Sequence, residues 1–381
     1  MKPDFDAIVI GAGIIGSCTA YQLAKKGKSV LVLEQFALDN DINSSHGGSR
    51  IFRFAHEEAV YMPMAKASLT AWKDLEKETD LELLRQCGFF WAGQPDLIQK
   101  RAANLTKNGV PFQVLKGKEI QKKFKHLHFG EKWHALFDPN GGVLLADKCV
   151  LAAQRVARNN GAKLQDNEPV LRIESLNDHV DVYTIRARYT AKRLIVTAGP
   201  WTKKVLPNLG ISMEAQLMGV NYYKVTDHHE RFKTENGSPM LLFGDYIDPP
   251  VYALPDVDMP GYVKAGVHLG LIVDPDTKVE HPEWMHTIPA KHFGLHVYDL
   301  DTSVPAKKVD CFYTVTEDEF FVLDKSPKYS NVFVAGGFSG YGFKFAPVIG
   351  EIMARMAVGE SIGYDLSHFR INRQIKGKAK I

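Results

Sequence analysis

The pattern of apolar and polar residues at the start of the chain predicts a compact βαβ unit. Residues 7–10 form an apolar run that ends at Gly11, and the pattern from 14 to 26 becomes helical. Gly27 is placed to end that helix, and residues 29–33 predict a second buried strand. Because strands joined through one helix lie parallel, the unit indicates an α/β fold with a parallel sheet.

Five later stretches continue this α/β pattern. Apolar residues spaced three or four apart over 65–75 predict an amphipathic helix, and 147–160 predicts another helix. Residues 194–197 and 331–335 predict short buried strands that run into glycines. A final helix is expected from about Pro347, since proline suits a first helical turn.

The region from about 213 to 310 has a different character. It is richer in proline and aromatic residues and alternates over 262–268, which predicts a mainly antiparallel sheet. Residues 45–53 are polar and glycine-containing and predict a loop. The interleaved patterns predict a discontinuous nucleotide-binding domain and a substrate domain. The expected boundaries are 1–82, 147–212 and 318–381 for the first, and 83–146 and 213–317 for the second.

Composition and charge exclude several classes of protein. Of the 381 residues 45% are apolar and 24% charged, which is typical of a globular protein with a sizeable core. The net charge of +3 gives no reason to expect nucleic acid binding, and no apolar run approaches the ~20 residues that span a bilayer. The four cysteines are far apart and lack metal-ligand spacing, so we expect a reducing compartment and no metal site.

Residues 11–16 form a GxGxxG motif, the turn that joins strand to helix in dinucleotide-binding folds. Gly11, Gly13 and Gly16 permit a tight turn and close approach of the backbone to a pyrophosphate at the helix N-terminus. Glu34, at the end of the next strand, is placed to accept a hydrogen bond from an adenosine ribose. A glycine-rich turn without a ligand is the alternative, but this context favours a Rossmann-like domain.

Two further strand ends bear on which dinucleotide is bound. The motif alone does not separate NAD from FAD. Glycine follows a predicted strand at two further places, Thr197-Ala198-Gly199 and the run from Ala335 through Gly337 to Gly340. Because glycine has no side chain, the backbone there can contact the planar second half of a cofactor closely. Their joint occurrence favours FAD, although each alone is more often a simple turn.

Several charged residues are candidates for a binding site. Arg50 and Arg53 lie three apart, and guanidinium groups engage both oxygens of a carboxylate, although the spacing alone favours a solvated surface pair. Lys264 and His268 would share one face of a strand, and a surface lysine is the simpler interpretation. Lys344 lies between two phenylalanines.

Cys311 and Tyr313 alternate with Phe312 and would therefore face the same side of a strand. Most free cysteines behave as small buried hydrophobes. On this pattern alone, Cys311 predicts an inert core thiol.

Three stretches resemble the monomeric sarcosine oxidase family, most of all its peroxisomal sarcosine/pipecolate oxidase branch. They are Ser45-His46-Gly47-Gly48-Ser49-Arg50 with Arg53, Cys311-Phe312-Tyr313-Thr314, and Gly337-Phe338-Ser339-Gly340-Tyr341-Gly342-Phe343-Lys344. The resemblance spans essentially the whole chain and is weakest from about 213 to 300.

The resemblance implies a role for each candidate residue. Cys311 would hold FAD through a thioether to its 8α-methyl carbon, and Arg53 and Lys344 would hold a substrate carboxylate. Arg50 would lie against one face of the flavin, and Lys264 near the N5 edge where oxygen reacts. Lining residues are implied on the substrate side (Tyr252, His268 and Tyr313) and on the cofactor (Gly11, Gly13, Gly16, Glu34, Ser45, Ala198, Gly199, Gly337 and Gly340).

Two positions depart from the family pattern. Tyr341 stands where relatives usually carry histidine, which alters the pocket rim and leaves the preferred amine open. Glu317 stands where proline is usual and changes a turn. The placement of Tyr252 requires a one-residue insertion before Lys264.

The implied reaction is oxidation of a small secondary amino acid, such as sarcosine or L-pipecolate, to the imine, with oxygen reduced to hydrogen peroxide. The alternatives are an FAD-dependent dehydrogenase that passes electrons to a protein, a non-catalytic flavoprotein assembly factor, and an NAD enzyme. We expect a monomer. The terminal tripeptide Ala379-Lys380-Ile381 is similar to a peroxisomal address and predicts recognition by an import receptor; without it the protein would be cytoplasmic.

Overall fold

The computed structural model describes residues 3–375, which form 21 strands and eight α-helices. The strands are β1 (Phe5–Ile10), β2 (Val30–Leu33), β3 (Ser49–Phe52), β4 (Leu84–Arg85), β5 (Phe89–Gly93), β6 (Gln113–Lys116), β7 (His134–Asp138), β8 (Gly142–Leu145), β9 (Lys163–Gln165), β10 (Val170–Ser175), β11 (Val180–Thr184), β12 (Arg188–Val196), β13 (Glu214–Val225), β14 (Met240–Phe243), β15 (Val251–Leu254), β16 (Tyr262–Val267), β17 (Leu271–Ile272), β18 (Leu300–Asp301), β19 (Lys307–Val315), β20 (Val322–Lys325) and β21 (Val332–Gly336). The helices are α1 (Ile14–Lys25), α2 (Tyr61–Thr79), α3 (Pro95–Lys107), α4 (Lys118–Lys123), α5 (Ala146–Asn159), α6 (Thr202–Val205), α7 (Trp284–His296) and α8 (Ala346–Val358).

The first sheet carries the predicted βαβ unit. Its strands run in the order β10-β11-β12-β1-β2-β9, and β21 joins β12 while β20 joins β21. Strands β21, β12, β1, β2 and β9 are parallel neighbours, which confirms the parallel-sheet prediction. Helix α1 packs against α5 and α8. Helices α1 and α8 are in close contact, and a Cβ atom at Gly350 would lie only 2.6 Å from the Cys18 carbonyl carbon.

The second sheet is mainly antiparallel, as the pattern between 213 and 310 predicts. Ten strands build it in the order β17-β13-β16-β15-β14-β5-β7-β6, with β18 and β19 also paired to β13. Strand β19 pairs with β13 from Glu214 to Tyr222 and places Cys311 opposite Met218. Helix α7 lies within this region and packs against β16 and β13. Its apolar and polar residues show no clear stripe, which is why the sequence pattern does not reveal it.

The prediction of a loop over residues 45–53 is partly wrong. Ser49–Phe52 forms strand β3, which pairs antiparallel with β8 in a three-stranded sheet that also contains β4. The polar, glycine-containing composition is typical of a loop, but β8 satisfies the backbone hydrogen bonds from a distant part of the chain. The strand fixes Arg50 and Arg53 next to the space between the two large sheets.

Within 3–375, no helix has both the length and the apolar character needed to cross a bilayer.

Candidate active site

A cavity of about 610 Å³ lies between the two large sheets. Its lining includes the glycine-rich turn after β1 and, in the second sheet, residues of β16 and β19. The structure therefore brings together both sets of predicted site residues, which are distant in sequence. Among them, the cavity is lined by Gly11, Gly13, Glu34, Ser45, Arg50, Arg53, Ala198, Gly199, Tyr252, Lys264, His268, Cys311, Tyr313, Gly340 and Lys344.

The turn after β1 has the geometry that the GxGxxG motif predicts. Gly11 has a φ of 98°, and a Cβ atom there would lie 2.6 Å from the Thr197 carbonyl oxygen, so only glycine fits. Ser45 Oγ accepts a hydrogen bond from the Ile14 N–H at 3.0 Å, at the start of α1. Bare backbone and a helix N-terminus suit a pyrophosphate, so these residues fit the dinucleotide half of FAD.

Glu34 lies buried at the end of β2. Its Oε2 accepts a hydrogen bond from the Ala12 N–H at 2.8 Å, and its Oε1 accepts one from the Phe36 N–H at 3.1 Å. Burial raises the pKa of the Glu34 carboxyl, and the backbone hydrogen bonds oppose this shift. The carboxylate thus stands against the glycine turn, on the cavity side where a ribose hydroxyl would reach it.

Arg50 is held by backbone carbonyl groups. Its Nη2 donates to Ser44 O at 2.8 Å and to His46 O at 2.7 Å, and its Nη1 donates to Ser49 O. The same guanidinium group lies 3.9 Å from Cys311 Sγ. The prediction of a solvated surface pair is wrong for Arg50, because the side chain lines the cavity in a fixed orientation.

Arg53 and Lys344 form a pair of buried cations. Arg53 is 8% exposed and Lys344 is 4% exposed. The Arg53 guanidinium packs on the rings of Trp91 at 4.5 Å and Phe89 at 5.0 Å, and its Nη1 has no hydrogen-bond partner within residues 3–375. Lys344 Nζ donates to Tyr341 O at 3.1 Å.

These two cations favour an anion that the chain does not supply. Within the described residues, neither Arg53 nor Lys344 forms an ion pair with a carboxylate. Burial, and then the charge of Arg53, hold the pKa of Lys344 well below its usual range. A ligand carboxylate placed between them would relieve both effects, since buried charges require a partner.

Lys264 is buried, so the surface-lysine interpretation is wrong. Its Nζ lies 3.0 Å from Asp258 Oδ2, 3.2 Å from Ser49 O and 3.3 Å from Ser49 Oγ. Burial lowers the pKa of Lys264, the Asp258 carboxylate opposes this shift, and Arg50 adds to it. The site therefore contains a second buried ammonium group, here with a carboxylate partner.

Cys311 differs from the other cysteines. Cys18, Cys87 and Cys149 are buried, whereas Cys311 is partly exposed and lines the cavity. Burial raises the pKa of the Cys87 thiol to about 12 and raises those of Cys18 and Cys149 as well. Those three are therefore core cysteines, whereas Cys311 is not a core residue.

Aromatic side chains form the wall near the buried cations. The His268 ring lies 5.5 Å from the Tyr313 ring and 6.0 Å from the Tyr341 ring. Gly340 makes room for them, because a Cβ atom there would lie 2.7 Å from Tyr313 and 2.9 Å from His268. His268 directly follows the end of β16, its N–H donates to Pro250 O at 2.7 Å, and its side chain lines the same cavity as Lys264. Tyr252, on β15, is also part of the lining.

Sequence reasoning missed Asp258 and His56. Asp258 lies in a turn rich in proline and aspartate, where an acid is ordinarily solvated, so no sequence signal marked it. His56 is fully buried behind the cation pair, and both ring nitrogens lack a hydrogen-bond partner among residues 3–375. Burial, then Arg53 and Lys344, hold the pKa of His56 well below its usual range, which keeps the ring neutral.

Comparisons with known proteins give a consistent result. The family model described as FAD dependent oxidoreductase matches residues 6–356. The chain is 37% identical over 381 residues to the peroxisomal sarcosine oxidase of Homo sapiens, covering 98% of this chain and 97% of that protein. It is 32% identical over 396 residues to the monomeric sarcosine oxidase of Arthrobacter sp. (strain TE1826), with the same coverage of 98% and 97%.

A solved structure with a similar fold is that of NikD, described as an unusual amino acid oxidase essential for nikkomycin biosynthesis. The TM-score is 0.84 at 24% identity, and the alignment covers 96% of this chain and 97% of that chain.

Proposed function

Because this chain belongs to the FAD dependent oxidoreductase family, we propose that it is an amine oxidase that acts on the CH–NH bond of a small secondary amino acid. The relatives named sarcosine oxidases match nearly its full length. One observation carries the proposal: the pair of buried cations, Arg53 and Lys344, lines the same cavity as the dinucleotide turn. The buried cations call for a substrate with a carboxylate group, and the dinucleotide turn would place the flavin beside that substrate.

The cofactor is FAD, and its binding residues are proposed from the glycine turn and the strand ends around the cavity, whose lining includes all of them except Gly16 and Gly337. Gly11, Gly13, Gly16, Glu34 and Ser45 would hold its adenosine and pyrophosphate half. Residues at two other strand ends would flank the rest, namely Ala198, Gly199, Gly337 and Gly340. Bound FAD supplies the redox chemistry, accepting a hydride equivalent from the substrate carbon and passing the electrons to oxygen.

Cys311 is the proposed point of covalent attachment, through a thioether to the 8α-methyl carbon. Two observations support this: Cys311 is the cysteine that lines the cavity, and the Arg50 guanidinium lies 3.9 Å from its sulfur. Arg50 would also lie against the flavin, since carbonyl groups fix its side chain at the cavity wall.

Arg53 and Lys344 would bind the substrate carboxylate and thereby orient the reacting carbon. A two-point clamp sets distance and angle, and positioning of this kind supplies a large part of enzymatic acceleration. Tyr252, His268 and Tyr313 would line the other side of the substrate, where their rings exclude water. The amine would bind in its neutral form, because its nitrogen lone pair forms the new C=N bond as hydride leaves the neighbouring carbon.

Lys264 would act in the second half of the reaction, when oxygen is reduced. Its ammonium is fixed by Asp258 and Ser49 in a buried position, so water screens its charge little. A fixed positive charge stabilises the anion that forms as oxygen takes the first electron. The product of that half-reaction is hydrogen peroxide.

The experiment that tests this function measures peroxide release from sarcosine, L-pipecolate, L-proline and larger N-methyl amino acids. Each is paired with an amine of the same shape that lacks the carboxylate. We expect peroxide from at least one of the amino acids and far less from its matched amine. Flavin reduced by the amino acid without peroxide in air would indicate a dehydrogenase. Flavin that none of them reduces would contradict the oxidase and leave the assembly factor.

The peroxisome is the proposed location. The human relative is named a peroxisomal enzyme, and Ala379-Lys380-Ile381 is similar to a peroxisomal address, although it lies outside the described residues. An import receptor would be the partner. Deletion of Ile381 should abolish punctate localisation in cells, and unchanged puncta would reject the tripeptide as the signal.

The domain division and oligomeric state are proposed as well. All eight strands of the first sheet lie in 1–82, 147–212 and 318–381, and all ten strands of the second lie in 83–146 and 213–317. The three-stranded sheet joins the two sets, because β3 belongs to the first and β8 and β4 to the second. A monomer is consistent with the bacterial relative named monomeric sarcosine oxidase.

A further inference from the structure

The turn between β15 and β16 places a carboxylate against the buried Lys264. Asp258 Oδ2 lies 3.0 Å from Lys264 Nζ and accepts a hydrogen bond from the Tyr222 hydroxyl at 2.9 Å. The side chains of Lys264 and Asp258 are 9% and 7% exposed. Burying an ion pair costs solvation energy that the pair itself often fails to regain, so a pair in this position suggests a function other than stability.

The opposite side of Lys264 carries positive charge. A Cβ atom at Gly47 would lie 3.8 Å from Arg50 Nη1 and 3.9 Å from Lys264 Nζ, so the two cations converge on the same glycine. His46 also feels the charge of Lys264. Cys311 lies on β19, which pairs with β13, and β13 in turn pairs with β16, the strand of Lys264.

The groups that face Lys264 therefore divide by charge. Arg50 on β3 favours the neutral amine, as burial does, whereas Asp258 from the β15–β16 turn favours the ammonium. Cys311 on β19 would favour the Lys264 ammonium only if its sulfur were a negatively charged thiolate. A thioether sulfur carries no charge and would have no such effect. The remaining polar partner, Ser49, offers its carbonyl oxygen and its hydroxyl group. Asp258 is thus the one permanent anion against this lysine among the described residues.

We propose that Asp258 is a positioning residue that keeps Lys264 protonated and holds its ammonium group at the cavity wall. The proposal rests on the function proposed above, in which Lys264 supplies the fixed positive charge during oxygen reduction. Asp258 acts through the lysine and touches neither substrate nor cofactor. Tyr222 helps to hold the Asp258 carboxylate in place, because its hydroxyl group donates a hydrogen bond to the same carboxylate oxygen.

Replacement of Asp258 by asparagine tests the proposal, because it keeps the shape and a hydrogen-bond acceptor and removes the charge. Burial lowers the pKa of Lys264, and Asp258 opposes that shift. Loss of the carboxylate should therefore lower the titration midpoint further, by about 1–2 pH units for a lost charge-assisted hydrogen bond. The ammonium is present below the midpoint and is lost as pH rises through it.

The first readout is independent of activity. FAD-loaded protein labelled at lysine Cε is titrated by NMR, and the Lys264 signal is identified by its absence in Lys264→Met. We expect its midpoint to fall in Asp258→Asn and to stay unchanged in Asp256→Asn. Asp256 is the matched control, since it lies in the same turn and its carboxylate binds the Gly261 N–H instead of the lysine. An unchanged midpoint in Asp258→Asn overturns the proposal.

The second readout is the rate of flavin reoxidation by oxygen across pH. In Asp258→Asn the rate should decline at a lower pH than in the unmodified enzyme and approach the original rate in acid. In a Lys264→Met background, Asp258→Asn should add no further loss, because the two side chains act as one unit. A full additional loss would mean that Asp258 acts by another route.

A last variant separates charge from fold. Asp258→Glu retains the carboxylate and should retain the original titration midpoint even if the asparagine variant loses its flavin. A glutamate variant that titrates at a lowered midpoint overturns the proposal. If Lys264→Met reoxidises at the original rate, the proposed role of Lys264 is wrong, whereas the NMR titration still decides whether Asp258 controls its proton.

Discussion

Replacement of Arg53 by methionine should weaken the binding of amino acid substrates while leaving the fold intact. Methionine keeps a flexible apolar stem against Trp91 and Phe89, where the guanidinium now packs, and removes only the charge and the hydrogen-bond donors. The substrate carboxylate would then face Lys344 alone in a site that excludes most water.

The magnitude follows from burial and from the second cation. Loss of one partner of a buried charge pair costs about 2–5 kcal/mol. The 8% exposure of Arg53 would place the loss high in that range. However, the charge of Arg53 also lowers the pKa of Lys344, second only to burial. Without Arg53, Lys344 holds its proton more readily, and this offsets part of the lost binding free energy. We therefore expect about 3 kcal/mol, on the order of a 100-fold loss.

The assay compares dissociation constants and kcat/KM for an amino acid and for the matched amine without its carboxylate. The amino acid should lose about 100-fold, and the amine should change little, since only the former uses the clamp. Arg158→Met is the control, because this arginine lies exposed near the end of α5, away from the cavity. Equal losses for both compounds, or a loss of only a few-fold for the amino acid, would refute carboxylate recognition by Arg53.

Three further results are expected. Burial and Arg53 depress the pKa of Lys344 in the free enzyme, and a bound carboxylate raises it, so a carboxylate ligand that has no amine takes up a proton on binding. The dissociation constant of such a ligand should rise with pH by up to about tenfold per unit above the depressed pKa, and a pH-independent constant would contradict this. Acid precipitation should leave the yellow colour with the unmodified protein and release it from Cys311→Ala; colour released from both would reject the thioether. Lys264→Met should slow reoxidation by about 100-fold in rapid mixing while anaerobic reduction by substrate changes much less; reoxidation at the original rate would remove Lys264 from the reaction.

The sequence by itself determined the local elements and the dinucleotide turn. Strand β1, helix α1 and strand β2 follow from apolar runs only a few residues long, and the structure confirms each to within a residue or two. Gly11 was predictable for the same reason, since a tight turn with a positive φ is a local requirement of the backbone. Resemblance to the family then added the candidate residues that spacing alone left ambiguous.

Tertiary structure decided which charged and reactive side chains are buried, and beside what. Lys264 is an ordinary strand lysine in sequence, but Ser49, 215 residues away, accepts its hydrogen bond. Four cysteines look alike in sequence, and only the pairing of β19 with β13 places Cys311 at a cavity wall. Strand β3 forms because its backbone pairs with that of β8, which lies nearly a hundred positions later in the chain. Burial, desolvation and ion pairing arise between segments that the fold brings together, so no local pattern can specify them.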